Sequence, residues 1–326
     1  MNKILIIVTV VLSFTFCNTE EVVKNDSAFK IDLPSYFDVL TVPEKNQITE
    51  SKIELGSLFF FDTALSLDST ISCSSCHLPE FAFTDQRAKS IGVSGKETAR
   101  NSPTLINLAY HPYYMFDGGI PTLELQPIAP IMHPDEMGFN LFEASSRFNK
   151  NAKYFSLSKK AFGEEVNPKV IAYSLAAYQR SLLAYQSKYD SYLQGDTNAL
   201  NSQQLRGKEL FFSDSLNCAA CHGGFNFTDY KFYNIGLYLQ YADKGREKVT
   251  ERDSDNGKFK TPTLRNIEVT FPYMHDGSIK TIDEVIEFKM SGGEEYPLKS
   301  EKVKQFHLSD SDKKALKAFL LSLSDK

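Results

Sequence analysis

Cys73-Ser74-Ser75-Cys76-His77 and Cys218-Ala219-Ala220-Cys221-His222 are the two stretches that decide how this chain is read. Each is a Cys-x-x-Cys-His, the attachment signature of c-type haem. The chemistry requires this set: two thiols add to the porphyrin's vinyl groups, a short spacer matches their separation, and the adjacent His lies under the iron as proximal ligand. Other uses of paired cysteines fit less well. A four-Cys zinc site keeps its pairs about 15–20 residues apart, whereas 141 residues lie between Cys76 and Cys218. A thioredoxin-like pair needs a βαβ context, which the surrounding pattern lacks. Disulfides closing such short loops would stabilise little, because the gain grows with loop length.

The repeat extends well beyond the cysteines. Gly56-Ser57-Leu58-Phe59-Phe60 precedes the first motif, and Phe81-Ala82-Phe83-Thr84-Asp85 follows it. Gly207-Lys208-Glu209-Leu210-Phe211-Phe212 and Phe225-Asn226-Phe227-Thr228-Asp229 flank the second in the same order. Further on, Pro103-Thr104-Leu105-Ile106-Asn107 leads to Asp117-Gly118, and Pro262-Thr263-Leu264-Arg265-Asn266 leads to Asp276-Gly277, with 14 positions from Pro to Asp in both. Two related domains follow, 31–196 and 197–326, meeting near Gly195-Asp196-Thr197-Asn198. A helix is expected from Pro168 to Leu193, with Ile171, Leu175, Tyr178 and Leu182 at three- and four-residue steps. Ser202 is expected to cap a helix ending near Phe212. Ser309-Asp310-Ser311-Asp312 opens a final one, with Leu316, Phe319, Leu320 and Leu323 on one face. Few stretches alternate with period two. The expected fold is mostly α, with long loops that need a large cofactor to pack against.

The 326 residues are 42% hydrophobic and 24% charged, which excludes a disordered chain and an integral membrane protein. A net charge of −5 argues against a nucleic-acid binder. With no Trp, no mechanism can use an indole. Lys3 and the apolar run Ile4 to Phe16 read as an export signal over 1–16, because a membrane span needs about 20 residues. Cys17 ends the run and is a candidate lipid-anchored first residue of the mature chain, although Phe16 stands where a lipoprotein signal wants a small residue. Residues 17–30 then form a tether. The expected location is periplasmic or cell-envelope.

From about Leu33 onward the sequence resembles the bacterial di-haem cytochrome c peroxidase family, including the branch that matures methylamine dehydrogenase. The resemblance implies two tandem cytochrome c-like domains, each around one covalently bound c-type haem. In that family the first haem meets peroxide and the second relays electrons. The family's peroxidatic pocket has a Gln and a Glu-Met pair after a D-G turn. Here Asp117-Gly118 is followed by Gln126, Pro130, Glu136 and Met137 at matching offsets. Glu136 is implied as the general acid–base and Gln126 as its orienting partner. The family's interdomain calcium, held by an Asn side chain and two backbone carbonyls, maps to Asn101, Thr270 and Pro272; oxygen ligands suit calcium. The implied partners are hydrogen peroxide and a small donor, a cytochrome c or a cupredoxin. A homodimer is among the expected assemblies.

Two departures from the family pattern stand out. Other members carry a His in a Ser-Ile-Gly-His loop that caps the peroxidatic iron until reduction; this chain reads Ser90-Ile91-Gly92-Val93. Val cannot ligate iron, so the first haem is expected to be open without reductive activation, with His111 or His133 as substitute ligands in the alternative. The family's Trp between the haems is replaced by Phe116, a ring much harder to oxidise. Tyr113 and Tyr114 are near in sequence. For the sixth ligand of the second haem, direct counting reaches Lys289, which the repeat aligns with Pro130. Met is the softer ligand for haem iron, so Met290 is the first choice, Met274 the second and Lys289 the third. The leading function is an exported peroxidase. The alternatives are a maturase-like protein-modifying oxidase and a passive di-haem electron carrier.

Overall fold

The computed structural model describes residues 26–325. Helices dominate. Among the described residues the one sheet is an antiparallel pair, Phe232–Tyr233 against Phe259–Lys260. No helix among them is long and apolar enough to cross a membrane. The export signal and Cys17 lie outside the described residues. The end of the expected tether is held against the first half: Phe29 N–H donates to the Ile48 carbonyl at 3.1 Å.

Both halves are organised by one helix crossing. The helix Glu50–Phe61 packs on Pro168–Ser181, and Ser202–Phe211 packs on Asp310–Leu321. A glycine makes each crossing close. A Cβ on Gly56 would lie 1.9 Å from the Ser174 carbonyl oxygen, and one on Gly207 would lie 1.9 Å from that of Ala315. No side chain fits at either point, so backbone meets backbone, and Phe59, Phe60 and Phe211 are buried beside the contacts. The helix starts follow capping chemistry. Thr49 accepts from Lys52 N–H, Asn167 from Val170 N–H ahead of Pro168, and Ser309 from Asp312 N–H. The cap of Ser202–Phe211 is Asn201, one residue before the expected Ser202. On the last helix and just beyond it, Leu316, Phe319, Leu320 and Leu323 are all buried, as the periodicity predicts.

The expected helix from Pro168 to Leu193 is two helices, Pro168–Ser181 and Lys188–Leu193. Buried Asn107 explains the break. Its side chain donates to the Ala184 carbonyl at 3.1 Å and accepts from Ala184 N–H at 2.9 Å, taking both groups that a continuous helix would use. A capping box of Ser187 and Asp190 then starts the second helix. Two apolar clusters form, one from residues between Leu55 and Ala184, the other from residues between Tyr189 and Leu323. Tyr189 therefore packs with the second half. Polar groups join the halves: Asn107 donates to the Asn226 side chain at 3.0 Å, and Arg100 bridges Asp117 and Asp243, both at 2.6 Å.

Candidate functional site

The loop after each Cys-x-x-Cys-His sets the histidine. His77 Nδ1 lies 2.8 Å from the Phe83 carbonyl oxygen, and His222 Nδ1 lies 3.1 Å from that of Phe227. A carbonyl can only accept, so Nδ1 carries the hydrogen and Nε2 keeps its lone pair. That is the tautomer a metal-ligating imidazole needs, with its orientation fixed by the second bond. Phe83 and Phe227 have φ of 61° and 50°, a left-handed conformation uncommon for aromatic residues. Equivalent threonines brace both loops: Thr104 Oγ1 donates to the Ala82 carbonyl at 2.6 Å and Thr263 Oγ1 to that of Asn226 at 2.7 Å. Burial lowers the affinity of both imidazoles for a proton, His222 to about 4, so both are neutral at pH 7.

Among the described residues the four cysteines, Cys73, Cys76, Cys218 and Cys221, are unpaired. Burial pushes the thiols of Cys73 and Cys218 up, to about 12 and about 11, so both are protonated at pH 7. Among the described residues no group of three His, Cys, Asp or Glu side chains could hold a metal ion. Each Cys pair and its His instead line a cavity. Two neutral thiols beside one imidazole with a bare Nε2, in a mostly apolar cavity, fit a covalently attached haem.

The first cavity, of about 80 Å³, brings Cys73, Cys76 and His77 together with Gln126, Pro130, Glu136 and Met137. These residues come from separate segments of the first half, and the family resemblance implied that Gln126, Glu136 and Met137 would share a pocket. Burial raises the Glu136 carboxyl above its ordinary value, and the neighbouring His133 offsets part of this. Val93 N–H donates to the Glu136 carbonyl at 2.7 Å, and a Cβ on Gly92 would lie 1.9 Å from the Asp135 carbonyl oxygen. The loop carrying Val93 is thus seated on the turn carrying Glu136. Among the described residues, no histidine except His77 lines this cavity. His133 is exposed, its Nδ1 accepting from Asp135 N–H. His111 is half-buried elsewhere, its Nδ1 3.0 Å from Lys260 Nζ. Gln179 also lines the cavity, with a buried and unpartnered Oε1. Sequence reading missed it, although a Gln four residues after Leu175 in an apolar stripe was a usable signal.

The second cavity is larger, about 310 Å³. Cys218, Cys221 and His222 share it with Met274, His275 and Lys289. Met290, the first choice as iron ligand, is not among its lining residues. An α-helix places successive side chains on different faces, and Met290 packs instead against the second apolar cluster. Burial pushes the Lys289 ammonium down to about 8. Asn101, Thr270 and Pro272, the expected calcium ligands, all line this cavity, as does Phe116. The Asn101 amide nitrogen donates to the Arg87 carbonyl at 2.7 Å, which leaves its oxygen for a ligand role.

Comparison with known proteins decides the family. Residues 50–198 match the family model described as di-haem cytochrome c peroxidase, and residues 204–324 match cytochrome c. The chain is 34% identical to the methylamine utilization protein MauG of Methylorubrum extorquens over 285 residues, 86% of this chain and 80% of that protein. The chain belongs to the di-haem cytochrome c peroxidase family. It is also 36% identical to the cytochrome c551 peroxidase of Nitrosomonas europaea over 239 residues, 72% of this chain and 71% of that one. Among solved structures, a MauG-like protein associated with microbial copper homeostasis superposes with a TM-score of 0.88 at 35% identity, covering 92% of this chain and 96% of that one. Membership implies two cytochrome c-type domains and two haems, in agreement with the paired sites.

Proposed function

We propose that this protein reduces hydrogen peroxide to water at the first haem site, with electrons entering through the second from a small cytochrome c or cupredoxin. The observation that carries this reading is the convergence of Glu136 and Gln126 on the cavity of Cys73, Cys76 and His77. Bound haem supplies the redox iron at which the peroxide O–O bond is cleaved. The chain's own residues handle the protons. Glu136, as carboxylate, takes the proton of one peroxide oxygen and returns it to the departing one, and Gln126 orients it. Two electrons and two protons complete the conversion to two waters. Burial keeps His77 neutral, with Nε2 bare. Pro130 offers no donor atom, and Val93 replaces a side chain that could block the site, so the distal side needs no prior reduction to open.

Asn101, Thr270 and Pro272 are assigned to calcium, and the chain is assigned to export through residues 1–16 with lipid attachment at Cys17. Steady-state peroxide turnover with a reduced donor, on protein shown by pyridine haemochrome to carry two haems, tests the main reading. Turnover no greater than that of free haem overturns it. Chelation is expected to weaken activity, and insensitivity with no metal detected removes the calcium assignment. The likeness to MauG proteins favours one second reading, oxidation of a protein substrate. That reading predicts modification of a protein by peroxide without any small donor, and Phe116 in place of an indole counts against it.

A further inference from the structure

The internal repeat gives an independent ruler for the second cavity. Gln126 and Pro130 stand 9 and 13 residues after Asp117, as Val285 and Lys289 stand after Asp276. Gln126 and Pro130 line the first cavity, and Val285 and Lys289 line the second. The register therefore holds in space as well as in sequence. At the place where the first half presents a ring with no donor atom, the second presents a primary amine.

The one contact of that amine besides the cavity, among the described residues, is the face of the neighbouring Phe288 ring, 5.3 Å from Nζ. Among the described residues Lys289 makes no ion pair and donates no hydrogen bond to a carboxylate. The groups it shares a cavity with are Cys218, Cys221 and His222. Met274 has a different explanation. It repeats Met115: both precede the Asp-Gly turn by two residues, and both are left-handed, with φ of 74° and 65°. Met115 does not line the first cavity. A methionine at this point thus belongs to the turn common to both halves.

We infer that Lys289 is the sixth ligand of the second haem iron, opposite His222. The inference rests on the two-haem reading above. Ligation uses the neutral amine: the ammonium releases its proton to solvent, and the freed lone pair forms the bond to iron. The second iron is then closed by two nitrogen ligands while the first stays open, which suits a centre that passes electrons without meeting peroxide.

Low-temperature electron paramagnetic resonance and near-infrared magnetic circular dichroism of the ferric holoprotein test this. In the unaltered protein, the second haem is expected to be low-spin with nitrogen–nitrogen ligation. Lys289→Ala and Lys289→Arg should each convert it to high-spin with both haems still attached; Arg keeps the charge but offers no lone pair. Lys289→Met should restore a low-spin iron with sulfur-to-iron charge transfer and a higher reduction potential, since methionine ligation raises it. Met274→Leu should leave the second haem low-spin with nitrogen–nitrogen ligation. A low-spin signal that survives Lys289→Arg, or one lost in Met274→Leu, overturns the inference. Fewer than two haems in the unaltered protein would instead overturn the reading beneath it.

Discussion

The first cavity is walled by residues of its own half, from Phe60 to Gln179, whereas the second takes Asn101, Thr104 and Phe116 from the first half. Equivalent positions carry different chemistry. Gln126 answers to Val285 and Pro130 to Lys289. Counting on, Glu136 answers to Glu295, whose side chain is 91% exposed and paired with Lys299 at 2.6 Å. One repeated scaffold thus presents Gln126, Pro130 and Glu136 to the cavity of one copy, and Val285 and Lys289 to that of the other. The shared parts are the glycine crossings, which hold the helices together, and the carbonyl-bound histidines. The divergent parts lie on the cavity walls.

The sharpest way to break this contrast is at the carboxylates. Glu136→Gln should lower peroxide turnover by about 10²–10⁴-fold, the usual worth of a positioned general acid–base, while Glu295→Gln leaves it unchanged. Equal effects in steady-state assays would erase the distinction. Next come the buried ion pairs, Arg180 with Glu124 at 2.6 Å within the first half and Arg265 with Asp190 at 2.8 Å, which ties the helix Lys188–Leu193 to the second apolar cluster's half. Removing one partner of such a pair costs about 3–5 kcal/mol. Glu124→Ala and Asp190→Ala should each shift chemical denaturation by that amount, and two separate transitions would show that the halves unfold independently. Gly56→Ala and Gly207→Ala should cost about 1–3 kcal/mol each through overpacking, and a much smaller loss in one would mean that its crossing can widen.

The smallest effect is the pH dependence of Glu136. Its folded-state pKa is raised by burial, so the folded protein favours the protonated carboxyl. Stability is lost as pH rises from the ordinary carboxylate value of about 4.3 through the raised one. Glu136→Gln, which mimics the protonated form, should therefore be more stable than the unaltered protein at pH 7, with the advantage vanishing below the ordinary value. Denaturant midpoints at the two pH values measure it.

Much of this was legible in the sequence. The Cys-x-x-Cys-His pairs carry their chemistry in the spacing, and the family resemblance implied the pocket that Gln126 and Glu136 share. Local rules failed where a distant residue intervened. Asn107 broke a helix whose own periodicity was unbroken, because it captures Ala184 from 77 residues away. Ligand chemistry alone favours Met290 over Lys289, whereas the turn of the helix puts Lys289, not Met290, on the cavity wall. Gln179 was hidden because an apolar stripe reads the same whether it faces a core or a cofactor.

The borrowed wall of the second cavity has an evolutionary corollary. Once Asn101, Thr104 and Phe116 had become part of their neighbour's enclosure, the duplicated units stopped being interchangeable building blocks. A graft that exchanged the leading unit for an unrelated single-haem protein would strip one side from the trailing porphyrin, so selection can tune these two modules only as a couple.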